Sequence, residues 1–266
     1  MTLPPVTDPF HWTEEPWGAA LRCTPLERLA PHLFTTRQLR LSGGDGWQAL
    51  AGSIRVDPAR LVRVKQVHGN RVVVVRADAP LPASAEADAL ISDDPSSAIA
   101  VVAADCVPLL MADSRTGTVA AVHAGWRGTA AAIGVAALQA LTREFGTRPE
   151  DVTVAIGPAI GACCYEVGTE LVDAFAAAGH ARHLIDRWFI APPPRRDDPP
   201  GTRSRLRLDV PQANRDQLVV GGVPEEQIFS TGLCTAMHLD LLTSYRVEKA
   251  DAQRLAAVIR APGRRQ

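Results

Sequence analysis

The sequence predicts a single domain of α/β or α+β class. Two observations carry this. Apolar runs of strand length, such as Ala98–Ala104, are interspersed with longer segments of helical character, such as Gly128–Phe145. Ala98–Ala104 is also apolar throughout, as suits a strand covered on both faces. The chain has 266 residues, 46% of them hydrophobic and 21% charged, enough for one such domain. We take it to span residues 1–266, with 1–20 as an N-terminal arm, loosest over Met1–Pro9, and 261–266 as a frayed tail.

Charge and cysteine content narrow the function classes. A net charge of −1 argues against nucleic acid or an acidic membrane surface as partner, because both select basic fields. Five cysteines, with Cys163 and Cys164 adjacent, do not suggest a disulfide framework and fit a reducing compartment. The start MTLPPVTDPFHW has no basic region followed by an apolar one, so no secretory signal is expected. The apolar stretch around Ala98–Ala112 is interrupted by Asp105 and Pro108 before it reaches membrane-spanning length. A cytoplasmic location is the default expectation.

Taken in order, Thr24–Ala30 reads as a short helix with Thr24 as cap and Pro25 at its first position. His32–Thr35 reads as a short strand and Ser42–Gly46 as a glycine-rich loop without a phosphate-binding pattern. Strands follow at Leu61–Val67, Val72–Arg76, Asp88–Ser92 and Ala98–Ala104, with Pro80–Glu86 as a linker. Gly128–Phe145 is one long helix stopped by Gly146. Val152–Ile156 is a strand that leads into a loop over Gly157–Gly168, and Thr169–Ala178 is a helix closed by Gly179. Ala191–Gly201 is a Pro-rich loop, Arg205–Asp209 a strand, Pro211–Val220 a helix and Gln227–Thr231 a strand. Ser244–Arg260 holds a further short strand or helix.

The chemistry concentrates in Ala104–Gly128. Pro108–Ala112 and Thr118–Val122 flank Ser114-Arg-Thr-Gly117, which predicts a hairpin with Asp113 opposite Thr118 and Pro108 opposite His123. Cys106 then lies two residues along the same face as His123. His68, between two apolar runs at His68-Gly69-Asn70, sits at a strand end or turn. His68, Cys106 and His123 are a His2Cys set of the kind that holds catalytic zinc with an open fourth position. Cys106 and His123 alone would equally make a nucleophile and its base. The residues by themselves leave metal and thiol chemistry level. The helix start after His123-Ala-Gly-Trp-Arg127 favours an anion, with Arg127 as a bidentate donor. Arg37 reads as a surface arginine, Cys163 and Cys164 as structural, and His11, His32, His180, His183 and His238 as surface or packing residues.

The motifs Lys65-Gln-Val-His-Gly69, Ala104-Asp-Cys-Val-Pro108, Val122-His-Ala-Gly-Trp-Arg-Gly128 and Gly157-Pro-Ala-Ile-Gly-Ala-Cys-Cys-Tyr-Glu-Val167 resemble the YfiH-type laccase-domain family. The likeness runs from Phe34 to Arg246. That family was first labelled polyphenol oxidase and later recognised as purine nucleoside phosphorylase. The resemblance implies zinc, with copper as the other candidate metal, on His68, Cys106 and His123. It implies an α/β (α+β) fold, a single layered domain of mixed sheets flanked by helices, and phosphorolysis of adenosine, inosine, guanosine and methylthioadenosine, with an adenosine deaminase activity. A monomer or small homo-oligomer is expected. Phosphate is expected on Arg37 and Arg127, with Gln66 and Trp126 at the substrate and Asp105 or Glu166 handling the proton. The sequence departs from the family pattern after Arg37, which bears on Arg37 as a phosphate ligand, and at Met237 and Val247, which bear on substrate preference.

Three rivals are set beside this reading. A copper oxidase would draw on His-x-His pairs, which the seven histidines do not form, and Met111 falls on the strand face opposite Cys106. A Cys106–His123 thiol hydrolase would not need phosphate. A non-enzymatic protein with structural zinc would need a fourth ligand.

Overall fold

The computed structural model describes residues 3–77, 79, 85–191 and 205–263. The elements in chain order begin with β1 (Phe10–Glu15), β2 (Gly18–Cys23), α1 (Thr24–Glu27), β3 (His32–Thr35) and α2 (Gly44–Ile54). Next come β4 (Leu61–Val62), β5 (Val72–Val75), β6 (Ala89–Ser92), β7 (Ala98–Ala103), β8 (Val107–Asp113) and β9 (Val119–Ala124). After these lie α3 (Trp126–Ala130), α4 (Ile133–Phe145), β10 (Val152–Ile156), β11 (Glu166–Val167), α5 (Glu170–Ala177) and α6 (Arg182–Trp188). The chain continues through β12 (Phe189–Ile190), β13 (Leu206–Leu208), α7 (Val210–Val220), β14 (Ile228–Ser230), α8 (Tyr245–Glu248) and β15 (Leu255–Arg260).

The strands form two large mixed sheets, ordered β1-β2-β3-β15-β7-β4 and β14-β10-β8-β9-β6-β5, and a small one, β11-β13-β12. The layering follows from the alternation of side chains along each strand. Phe34, Ile99, Val101 and Ile259 of the first sheet pack with Leu90, Leu110, Ala112 and Ala121 of the second in one buried cluster. The alternate residues of the first sheet, including Leu33, Ala100 and Val258, meet Leu50, Ala51 and Ile54 of α2. Those of the second sheet, including Leu109, Met111 and Val122, meet Leu138 and Leu141 of α4 and Leu218 of α7. The result is a sandwich of two sheets with helices on both outer faces, as the layered α/β prediction requires. Strands buried on both sides explain the all-apolar runs.

Several sequence expectations are corrected. Residues 10–20 are not an arm: β1 and β2 pair antiparallel from Phe10↔Cys23 to Glu15↔Gly18 and form the edge of the first sheet. The glycines of 44–46 do not make a loop but open α2. A Cβ on Gly46 would stand 1.9 Å from the Arg40 carbonyl oxygen, so glycine allows this helix to start against the preceding chain. The long helix is two, because Ala132 has φ 53° and breaks it. Side chains of α7 take up the end of the first piece: Gln217 Nε2 donates to the Thr129 carbonyl and Asn214 Nδ2 to its hydroxyl, both at 2.9 Å. Thr24 is the first residue of α1, whose cap is Cys23. α6 has no signal in the sequence pattern, and the strand expected at Leu61–Val67 is only Leu61–Val62. Residues 80–84 of the linker, 192–201 of the Pro-rich loop and 264–266 of the tail lie outside the described residues. Among the described residues, no helix is long and apolar enough to cross a membrane.

One buried histidine gives the fold a pH dependence. His32 in β3 accepts the Cys23 N–H on Nε2 at 3.0 Å, and its Nδ1 lies 3.1 Å from the Ala30 carbonyl, where it donates. Burial outweighs that carbonyl bond and lowers its pKa from 6.5 to about 4. The folded state therefore binds this proton less readily than the unfolded state does. Its contribution is intact above the unfolded pKa and is lost as pH falls from about 6.5 towards 4. From neutral pH to pH 5 the loss is about 2 kcal/mol. Denaturant unfolding at pH 7 and pH 5 should show this drop in the wild type and a smaller one in His32→Gln; equal drops in both proteins would contradict it.

Candidate active site

The site lies at one end of the sandwich, where β8 and β9 leave the sheet. The hairpin has the predicted register, with Pro108 opposite His123, and Asp113 N–H donates to the Thr118 carbonyl at 2.9 Å. β6 runs beside β9, and the His123 N–H donates to the Asp88 carbonyl at 2.7 Å. The fully buried Asp88 side chain then organises two histidines at once. Its Oδ1 lies 2.9 Å from His123 Nδ1 and accepts the His68 N–H at 2.9 Å. Its Oδ2 accepts the N–H groups of Gly69 at 2.6 Å and Val67 at 3.3 Å. Three successive amides wrapped around one carboxylate hold His68 at φ 60°, a left-handed conformation that residues with side chains rarely adopt.

His68, Cys106 and His123 thereby bring one ligand atom each within 4.8 Å of one another. Cys106 Sγ stands 3.8 Å from His68 Nε2, and the two imidazoles meet edge to face with centroids 4.8 Å apart. With Nδ1 of His123 on Asp88, its Nε2 is left for the cluster. Burial alone would push the Cys106 thiol up, but bonds from His123 and His68 bring it down to about 7. His123 is disfavoured as a cation by burial, yet Asp88 and Cys106 raise it to about 9. Gly125 completes the pocket. A Cβ there would stand 2.9 Å from both Cys106 Sγ and His68 Cδ2. A soft anionic sulfur between two imidazoles, one backed by a carboxylate, is a donor set that fits zinc or copper.

A cavity of about 270 Å³ opens from this cluster. Trp126, Tyr165 and Tyr245 give it aromatic walls, and Arg127, Arg246 and Lys249 give it positive charge. Arg127 lies over the Trp126 ring at 4.3 Å, and Arg246 over Tyr165 at 4.8 Å. Arg246 is held there because its Nη1 donates to the Glu166 carbonyl at 2.8 Å.

The remaining expected site residues divide. Trp126, Arg127 and Asp105 line the cavity. Asp105, at φ 83°, accepts from the Thr235 hydroxyl and the Arg246 N–H, each at 2.6 Å. Its carbonyl takes the Ile160 N–H at 2.9 Å. Both carboxylate oxygens thus have donors, and Asp105 ties the segments of Ile160, Thr235 and Arg246 together at the turn that sets Cys106.

Gln66, Arg37 and Glu166 do not line the cavity. The Gln66 amide pairs with the backbone of Val102, donating to its carbonyl and accepting its N–H at 2.7 Å each, and so extends the short β4. Arg37 is committed to the C-terminal segment, through the Leu239 carbonyl and an ion pair with Glu248 at 3.0 Å. The Glu166 carboxylate lies 3.6 Å from Arg205 Nε on the small sheet. In each case the side chain is held by a partner away from the cavity lining. Sequence reasoning passed over Asp88 and Lys249 as functional residues. Tyr245 and Arg246 are likewise not singled out by the sequence.

Residues 45–262 match the family model described as multi-copper polyphenol oxidoreductase laccase. The chain belongs to this family. It is 32% identical over 252 residues to a purine nucleoside phosphorylase of Deinococcus radiodurans, covering 88% of this chain and 90% of that protein. It is 34% identical over 198 residues to adenosine deaminase RL5 of an unknown prokaryotic organism, covering 72% and 71% of the two chains. The crystal structure of the hypothetical protein YfiH of Bacillus licheniformis superimposes with a TM-score of 0.83 at 25% identity, over 96% of this chain and all of that one. The family, the layered fold and its enzymatic character therefore stand together.

Proposed function

We propose that the protein is a zinc-dependent purine nucleoside phosphorylase, acting on adenosine, inosine, guanosine and methylthioadenosine, with adenosine deaminase activity in the same cavity. The observation that carries this reading is the His68–Cys106–His123 cluster at the head of a cavity lined by three aromatic and three cationic side chains. Relatives named purine nucleoside phosphorylase and adenosine deaminase support both activities. His68, Cys106 and His123 would hold the ion, and when bound it would supply Lewis-acid chemistry at the head of the cavity. Trp126, Tyr165 and Tyr245 offer flat faces to a purine. Arg127, Arg246 and Lys249 offer charge to phosphate, and arginine meets phosphate oxygens through two parallel bonds. The phosphate oxygen attacks the anomeric carbon as the bond to the base breaks, through a transition state of oxocarbenium character. Arg246 takes the phosphate role that the family resemblance suggested for Arg37, and Asp105 fixes the wall around it.

The Asp88–His123–Cys106 arrangement also has the order of an acid, base and thiol, which favours a thiol hydrolase as the second reading. One experiment separates the two. Metal-analysed protein is given adenosine with and without phosphate, and adenine is resolved from inosine. Adenine formed only with phosphate, and lost on chelation, supports the phosphorylase. Inosine formed without phosphate adds the deaminase. Cleavage indifferent to phosphate and chelator but stopped by alkylation moves the assignment to the hydrolase, and no turnover of any nucleoside rejects both purine activities.

A further inference from the structure

A second cluster of soft ligands stands apart from this cavity. Cys163, Cys164 and Cys234 bring their sulfur atoms within 4.8 Å of one another, and all three are free thiols. Backbone geometry assembles them. The N–H groups of Cys164 and Tyr165 both donate to the Gly161 carbonyl at 3.0 Å, folding a turn that presents two adjacent thiols. Cys234 is set against that turn by a parallel bridge to Ala159, and the Thr235 N–H donates to the Ala159 carbonyl at 3.0 Å. The Gly161 N–H donates to Cys234 Sγ at 3.3 Å, a bond that strengthens when the sulfur is charged.

We propose that Cys163, Cys164 and Cys234 form a three-thiolate site for a soft monovalent ion, Cu(I), separate from the His68–Cys106–His123 set. The ligand type points to a soft metal, since thiolates select Cu(I), zinc or iron–sulfur clusters. Ligand number and type together select among these, since three-ligand catalytic zinc sites include at least one histidine. Structural zinc and iron–sulfur clusters take four protein ligands as a rule. Among the described residues no fourth histidine, cysteine or carboxylate joins this group. Three sulfurs at about 2.3 Å from a central ion stand about 4 Å apart, so small side-chain rotations close the observed spread. Burial is graded from exposed Cys163 to buried Cys234, giving the ion a route in from solvent. Burial and the neighbouring Cys234 hold the Cys164 thiol above its ordinary value, with Arg207 opposing them, so the ion binds in competition with the thiol protons. Binding forms three copper–sulfur bonds and releases the three thiol protons to solvent, with no change of oxidation state.

The test uses the full chain carrying Cys106→Ser, which removes the sulfur of the first set. Anaerobic titration with Cu(I) against a chromophoric chelator should load one ion per chain, and X-ray absorption should show sulfur ligands only. Adding Cys164→Ser and Cys234→Ser should weaken that binding by at least about 100-fold. The same two changes in the wild-type background should leave the zinc content unaltered. Undiminished copper binding in the variants, or nitrogen in the coordination shell, would overturn the assignment. Should the serine variants fail to fold, alkylation of the Cys106→Ser protein decides: one equivalent of Cu(I) should shield Cys163 and Cys164, and undiminished labelling rejects the site.

Discussion

Replacement of Cys106 by serine is expected to strip the protein of zinc and to lower nucleoside turnover by about 10³-fold or more, with the fold intact. The size follows from what is removed. The sulfur is the only soft and anionic atom of its cluster, facing His68 Nε2 at 3.8 Å. A serine hydroxyl does not ionise near neutral pH. Removing a single preorganised charge-stabilising group already costs about 10²–10³ in rate, and losing the ion removes more. The fold should survive because Cys106 is half-buried at the mouth of β8, and the bonds of Asp105 to Thr235, Arg246 and Ile160 do not involve the sulfur. Metal content per chain, thermal unfolding and adenosine turnover should be measured together. A variant with full zinc and full activity would remove the cluster from the chemistry.

Asp88→Asn should be the next largest effect. The carboxylate is acceptor-only and serves four donors: the amides of Val67, His68 and Gly69, and Nδ1 of His123. Burial disfavours its charge, but His123 and these amides hold its pKa below the usual carboxylate range. Asparagine keeps the shape, removes the charge and turns one end of the group into a donor facing N–H groups. Loss of the carboxylate behind a metal-binding imidazole typically weakens metal affinity or activity by 10–100-fold, and we expect a change in that range. The unmet amides should also lower stability by about 1–3 kcal/mol. Zinc affinity by competition with a chromophoric chelator, and unfolding of the metal-free protein, give the two readouts. Unchanged affinity with lowered stability would make Asp88 a spacer of the His68 loop and nothing more.

The contrast between Cys106 and Asp88 shows where sequence reading stops. The hairpin was legible because turn composition and side-chain alternation fix the register, so Cys106 and His123 could be placed on one face from Pro108 alone. His68 was legible as a turn residue between two apolar runs. Asp88 was not, since its role depends on β6 lying beside β9, and strand order leaves no local signature. Gln66 and Arg37 differ from Asp88 in another way. Their residue types suit a binding site, but the nearest unmet groups, the Val102 backbone in one case and Glu248 and the Leu239 carbonyl in the other, belong to segments far along the chain. The helix at Gly44–Ile54 was hidden because glycine there answers a steric demand from Arg40, which composition alone reads as a loop.

The close packing at Gly125 has a consequence for related chains. Because a Cβ would press on Cys106 Sγ and His68 Cδ2 together, even alanine would force those side chains apart. Either can rotate away, so the fold would tolerate the change while the ligand geometry would not. A related chain that keeps its two histidines and its cysteine but carries a larger residue here is expected to fold normally and bind no ion. This one position would then sort working enzymes from pseudoenzymes in which the three ligands alone suggest activity.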